Sequence, residues 1–346
     1  MNATTVAIDL AKDVFELAVA DGSGRIVRRE RLSRLRFGRF VDTLPVCRIV
    51  MEACSGSHCW ARRFQAAGHA VVLLPAQYVR PYRRRNKTDR ADCEALREAV
   101  KNPEILPVSV KSPEQQALQA LHRLRSQWMA TRTARINVLR GLLREFGLVI
   151  PLGAATALKQ FPEAIDDAAV PAFLRPSLLS MLEEIRTLTA RVVEVERQLD
   201  AATADDPAVQ TLRSVSGIGL LTATALRASA VEASSFRNGR HLASWIGLTP
   251  REHSSGSHRN LGGISKRGDT YVRMLLIHGA RSVMLHANQR ARAGHALNAL
   301  QRWALDLAAR VGHNKAAVGL ANKLARIAWA VWHHQTEFNP DRAVAA

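Results

Sequence analysis

The first hundred residues alternate short apolar runs with turn residues at the spacing of an α/β domain. "TVAIDLA" (5–11) reads as a buried strand that ends in an acid, and "VFELAVAD" (14–21) alternates before a turn at "DGSG". "GRIVRRERL" continues as a third strand, and "CRIVMEA" (47–53) is another buried strand ending in an acid. "WARRFQAAG" (60–68) has helical spacing with Gly68 as its stop, and "HAVVLLP" (69–75) returns to strand. This order predicts a β-meander followed by strands and helices on a mixed sheet.

The pattern then turns helical. A helix is predicted over 112–147, with Ser112 as cap, Pro113 in the first turn and Gly147 as the stop. After an irregular connector, 177–200 repeats Leu178, Met181, Leu182, Ile185, Leu188, Val192, Val195 and Leu199 near a heptad spacing. The two long helices are expected to form an antiparallel pair, a coiled coil with another subunit, or a plain bundle core. "LRSVSGIGLLTATALRASA" (212–230) places a G-I-G turn between helical stretches, like a helix–hairpin–helix. A basic Gly/Ser-rich loop (249–269) follows between two helices, and the tail from about 301 to 334 is helical with Trp303, Trp329 and Trp332 packing. The expected fold class is therefore α/β followed by all-α. The expected segments are 1–110, 111–207, 208–300 and 301–346.

Charge sharpens this picture. The 346 residues carry 49 Lys/Arg against 30 Asp/Glu, a formal net charge of +19 with a pI near 11.0. Residues 1–110 hold 19 basic and 12 acidic side chains, 111–207 hold 12 of each, and 208–346 hold 18 and 6. A neutral middle between two basic ends fits a spacer joining two nucleic-acid-facing parts. No apolar run reaches transmembrane length and no signal peptide is evident, so no membrane partner and a cytoplasmic, nucleoid-associated location are expected. The four cysteines, Cys47, Cys54, Cys59 and Cys93, form no C-x-x-C pair and are expected to be reduced thiols.

The candidate chemistry starts from four acids. Asp9 and Glu52 end apolar strands, where a buried carboxylate is costly unless paired or metal-bound. Asp89 and Asp92, in "NKTDRADCEA", lie three apart on one helical face; a capping role, with Asp89 at the N-cap, is the ordinary reading of that pair. Together the four could converge at the strand C-termini. Hard oxygen donors of this kind suit Mg²⁺ or Mn²⁺, and two such ions can clamp a phosphodiester. Arg83, Arg84, Arg85 and Lys87, just upstream, would attract a nucleic-acid backbone. Gly217 and Gly219 would let a phosphate approach the next helix. In the late loop, "PREHSSGSHRN", Ser254, Ser255 and Ser257 compete as nucleophile toward phosphorus. His253, His258, Arg251 and Arg259 are placed to assist, and Lys266 and Arg267 extend the basic character.

Five segments in order carry a resemblance over nearly the whole chain: "VAIDLAKDVFELAV", "VMEACSGSHCWAR", "LPAQYVRPYRRRNKTDRADCEA", "SVSGIGLLTATAL" and "LASWIGLTPREHSSGSHRNLGGISKRGDTYVRMLLIHGAR". The chain resembles bacterial insertion-sequence transposases that combine a RuvC-like DEDD domain with a serine-bearing transposase domain. That family includes Piv-type DNA invertases and bridge-RNA-guided recombinases. The resemblance implies a ribonuclease-H-like first domain with metal ligands Asp9, Glu52, Asp89 and Asp92. It implies a nucleophilic serine before a glycine, which matches Ser255, with Ser254 as the alternative register. It further implies a phosphoserine intermediate, donor and target double-stranded DNA, a structured non-coding RNA, and dimers that pair into tetramers. Two other functions fit the residues alone: a RuvC-like junction nuclease that uses water, and a non-catalytic nucleic-acid binder.

Overall fold

The computed structural model describes residues 4–83 and 88–340. The chain divides into two compact units, Met1–Ser112 and Pro113–Ala346.

The first unit is built on a five-stranded mixed sheet of order β3-β2-β1-β4-β5. Its strands are β1 (Thr5–Leu10), β2 (Val14–Ala20), β3 (Ile26–Ser33), β4 (Arg48–Glu52) and β5 (Ala70–Leu74). β1, β2 and β3 form the expected antiparallel meander, and β1 pairs parallel to β4 with Ile8 opposite Met51. Alternation along the strands splits the core into two layers. Val6, Ile8, Ile49 and Met51 face α1 (Arg34–Thr43) and α2 (Ser57–Ala66), which bury Phe37, Val41 and Phe64. Ala7, Val50 and Leu74 face α4 (Asp89–Ala99), which buries Ala95, Leu96 and Ala99. A short helix, α3 (Ala76–Val79), leads toward α4.

In the second unit, α5 (Pro113–Glu145) and α7 (Arg175–Ala202) run antiparallel. Arg125 bonds Glu196 at 2.7 Å and Arg135 bonds Glu184 at 2.8 Å, so numbers rise on one helix as they fall on the other. Every member of the predicted apolar stripe on α7 except Met181 is buried. Of the three expected arrangements, the antiparallel pair within one chain is present. The connector holds an unpredicted helix, α6 (Ala154–Asp166), which caps that pair with Ala157, Phe161 and Ile165.

The remaining helices share one core: α8 (Pro207–Arg213), α9 (Leu220–Ala230), α10 (Gly239–Trp245), α11 (Thr270–Arg292), α12 (Ala299–Val311) and α13 (His313–His334). Small residues on α13, among them Ala316, Ala317, Ala321 and Ala325, let its neighbours approach closely. The G-I-G turn takes part in this packing. Gly217 has φ +90°, and a Cβ built on Gly279 of α11 would lie 1.9 Å from the Gly217 carbonyl oxygen. Gly219 is different: it is exposed, with open space where a Cβ would go. Close helix contact therefore accounts for Gly217, whereas nothing steric within the fold requires Gly219.

Candidate functional site

Three of the four acids stand on elements whose register brings them to one edge of the sheet. Extending the β1–β4 pairing one step past Ile8 and Met51 sets Asp9 beside Glu52. Alternation turns both toward α4, on the side of Ala7 and Val50. The neighbouring thiols register that placement. Burial first, then the charges of Glu52 and Asp9, push the Cys54 thiol up. Burial dominates at Cys93 of α4 as well, with the Asp9 charge adding to it, and its Sγ donates to the Glu16 carbonyl at 3.1 Å. Cys93 follows Asp92 directly, so the start of α4 lies over the end of β1.

The cap of α4 is Thr88, whose Oγ1 accepts the Ala91 N–H at 3.2 Å. The expectation that Asp89 caps this helix is thus corrected: Asp89 is its first helical residue, and a hydroxyl does the capping. Both carboxylates of the pair are released from that duty. Asp89 is exposed. The Asp92 side chain is 14% exposed and forms an ion pair with Arg83. Its Oδ1 is buried and accepts no aligned hydrogen bond among the described residues. Arg84, Arg85 and Lys87 lie outside the described residues.

Among the described residues, no three His, Cys, Asp or Glu side chains converge tightly enough to hold a metal ion. The donor chemistry nevertheless fits a hard divalent cation. The candidates are all carboxylates, two of them neighbours on adjacent strands, and one carries a buried oxygen paired with a guanidinium.

The predicted serine loop is a β-hairpin, β6 (Pro250–Glu252) and β7 (Leu261–Ile264), continued past the strands toward its tip. His253 N–H donates to the Asn260 carbonyl at 2.9 Å, and Ser255 and His258 exchange backbone hydrogen bonds of 3.2 and 3.1 Å. Gly256 takes φ +56° in the two-residue turn that results, a conformation that favours glycine. The serines are thereby distinguished. Ser254 Oγ donates to Glu252 at 2.8 Å and accepts the Asn260 N–H at 3.1 Å. Ser255 Oγ has no hydrogen-bond partner among the described residues, and it sits exposed beside Gly256; Ser257, on the other side, is also exposed.

The hairpin stands on a rigid neck. A Cβ on Gly247 would lie 2.0 Å from the Arg267 carbonyl oxygen, and one on Gly268 would lie 1.7 Å from that of Trp245. Buried Arg273 clamps both strands of the neck, donating to the carbonyls of Ile246 at 2.7 Å and Arg267 at 3.1 Å. Of the basic residues predicted to bind nucleic acid here, Arg251 reaches the Ser265 carbonyl at 3.4 Å, and Arg259 approaches Glu252 at 3.4 Å while 73% exposed. Lys266 and Arg267 lie in the neck, Lys266 with φ +56°.

Sequence reasoning missed Arg273 and a second buried group, His122 of α5. The His122 ring bonds Tyr271 Oη at 3.1 Å and Thr224 Oγ1 at 3.0 Å, and it lines a cavity of about 480 Å³ together with Ser126, Ser229 and Asp269. Burial, reinforced by Arg125, depresses its pKa to about 4. The unfolded chain, with an ordinary imidazole near 6.5, therefore binds the proton first. His122 stability should be intact above pH 6.5 and fall by up to about 3 kcal/mol as pH drops toward 4. Denaturant unfolding of wild type and His122→Gln across that window checks this. The variant should show a flatter profile, with the parallel contribution of His58, also depressed to about 4, left in place.

Residues 6–147 match the DEDD transposase model of the IS110 group, and residues 209–296 match the model described as transposase, IS116/IS110/IS902 family. Among relatives, the chain is 43% identical over 343 residues to a probable family 20 transposase of Pseudomonas aeruginosa, covering 98% of this chain and 100% of the relative. The chain belongs to the IS110/IS116/IS902 transposase family. It is also 36% identical to the transposase for insertion sequence element IS1111A of Coxiella burnetii, over 96% of this chain and 90% of that one. The transposase for IS1328 of Yersinia enterocolitica is 35% identical over 98% and 99%. The protein is accordingly a DNA transposase, and DNA is its partner. DEDD transposases generally depend on a divalent metal. No helix among the described residues is long and apolar enough to cross a membrane.

Proposed function

We propose that this transposase cuts and exchanges DNA strands through a phosphoserine formed at Ser255. The observation that carries this reading is the contrast at the hairpin tip: the Ser254 hydroxyl is tied into the hairpin, whereas that of Ser255 is exposed and unpartnered on a braced neck. Ser255 Oγ forms a bond to phosphorus as the bond to one sugar oxygen breaks, and the departing oxygen takes up a proton. A sugar hydroxyl from another strand then reverses the exchange, rejoining DNA and regenerating the serine. His253 and His258 flank the tip and can carry protons; Arg251 and Arg259 supply positive charge for the phosphate.

Asp9, Glu52, Asp89 and Asp92 are the residues that would hold Mg²⁺ or Mn²⁺, which when bound supplies Lewis-acid stabilisation of the phosphorane charge. Arg83, Arg84, Arg85, Lys87, Lys266 and Arg267 would line the path of nucleic acid, and the open backbone at Gly219, with Gly217 behind it, would take a phosphate. A structured bridge RNA that pairs with donor and target DNA, and a dimer that assembles to a tetramer, complete the proposal.

The test is product type. The purified protein, with the RNA that accompanies it, Mg²⁺ and supercoiled DNA bearing the element's ends, should yield DNA covalently attached to protein on a denaturing gel. Prior ribonuclease treatment should abolish selection of the target. Free 5′-phosphate ends with no trapped protein would instead establish the water-using nuclease.

A further inference from the structure

On the opposite face of the sheet from Asp9 and Glu52, α1 and α2 flank an open groove of about 740 Å³ that runs from Arg34, in the first turn of α1, to Asp42, in its last. Its placement follows from the topology. β3 ends at Ser33, opposite Val14 at the start of β2, and hands directly to Arg34 of α1; β4 ends at Glu52 and leads within a few residues to α2 and Trp60. Both helices therefore start at the edge where β1 and β4 present Asp9 and Glu52, and the Arg34 end of the groove is the end nearest that edge. Its lining is Arg34, Leu35, Gly38, Arg39, Asp42, Trp60 and Arg63.

The side chains differ in what they have left to offer. Arg63 is paired with Asp42, its Nη2 donating to both carboxylate oxygens at 2.7 and 2.8 Å, and its guanidinium lies over the Trp60 ring, 5.5 Å from the centroid. Arg34 is held by two hydrogen bonds to the Lys12 carbonyl, at 3.1 and 2.7 Å. That partner carries no charge, and the guanidinium also lies over the Phe15 ring, 5.5 Å from its centroid, so it is fixed in place with no ion pair among the described residues. The exposed guanidinium of Arg39 has no ion pair or hydrogen bond among the described residues, and neither does that of Arg36 nearby. Trp60 is half-buried, its ring edge-on to Phe15 and Phe37, which hold it at the groove floor.

Fixed positive charge beside a braced aromatic ring is the chemistry that seats unpaired nucleotides: cations track the backbone and the ring stacks a base. We propose that this groove binds a single strand of nucleic acid, with phosphates on Arg34 and Arg39 and a base against Trp60. A paired base would keep its face inside the duplex and out of reach of the ring. The inference rests on the reading of the chain as a nucleic-acid enzyme, and it gives that enzyme a path for a strand leaving the acid edge.

The experiment uses the full chain in EDTA, so it reads binding without cleavage, and failure of the proposed chemistry would leave it untouched. Fluorescence anisotropy follows labelled oligothymidylate, oligouridylate and a DNA duplex over a range of salt. Arg34→Ala/Arg39→Ala should weaken single-strand binding about tenfold and make the salt slope shallower by about 1.4, roughly 0.7 per lost phosphate contact, with duplex binding within twofold of wild type. Substituted 5-iodouracil should photocrosslink to the peptide containing Trp60. Equal losses with both oligonucleotides support the shared backbone chemistry, and a loss with only one identifies that strand as the occupant. An unchanged salt slope, an equal loss on duplex, or crosslinks that never include Trp60 would overturn the proposal. Both arginines are exposed on a helix, and thermal melts confirm that the variant folds.

Discussion

Ser255→Ala eliminates the covalent protein–DNA complex, a fall of at least about 10³-fold in its formation, while duplex DNA affinity stays within about twofold. The expectation rests on what each hydroxyl in the hairpin does. Ser255 Oγ has no partner among the described residues, so its removal costs the fold almost nothing and takes away only the attacking atom. Ser254→Ala breaks two hydrogen bonds, to Glu252 at 2.8 Å and from Asn260 at 3.1 Å. Both are exposed, so about 1 kcal/mol of local order is lost and the adduct is reduced in amount but still forms. Ser257→Ala, across Gly256, leaves the adduct unchanged. The readout is a denaturing gel of labelled DNA with each variant. An adduct that persists in Ser255→Ala and vanishes in Ser254→Ala would transfer the nucleophile to the other register.

Why residue types alone leave the serines competing, with Ser255 favoured only through the family resemblance, is visible in the hairpin itself. Every residue of Pro250–Gly263 is exposed, so no burial alternation marks the strands, and the stretch reads as a loop. The pairing of Ser255 with His258, which sets the register, is a backbone property that neither side chain announces. The strands of the first unit were legible for the opposite reason. Their faces are buried in two different layers, and runs such as "TVAIDLA" and "CRIVMEA" carry that burial in their composition. The α1 helix was not foreseen because only Phe37 and Val41 are buried in "RLRFGRFVDT", too few to show a helical period against four charges. On α7 the stripe was evident, but its partner was not: a heptad pattern says nothing of direction, which Arg125–Glu196 and Arg135–Glu184 decide. The acids were found at strand ends by their cost of burial. Thr88 as the cap and Arg83 as the partner of Asp92 depend on tertiary geometry, which residue spacing does not encode.

Asp92→Asn should abolish metal-dependent strand cleavage, and the Arg83 pairing makes the reason separable from simple damage to the fold. Asp92 is 14% exposed and Arg83 22%, so removing the carboxylate charge leaves a guanidinium partly buried without its partner. Breaking such a pair from one side destabilises by a few kcal/mol. Loss of activity in Asp92→Asn alone is therefore ambiguous between a missing ligand and a loosened α4. Replacing both, Arg83→Gln with Asp92→Asn, puts neutral amides at the two positions and recovers most of that stability. If Asp92 is a metal ligand, the double variant regains its melting temperature yet binds Mn²⁺ at least about tenfold more weakly than wild type by calorimetry, and it makes no adduct. Asp9→Asn, at the end of β1, gives the same loss of Mn²⁺ affinity and adduct. Recovery of strand cleavage in the double variant, or full activity in Asp9→Asn, would reduce Asp92 to a structural counter-ion and leave the acid edge without its metal.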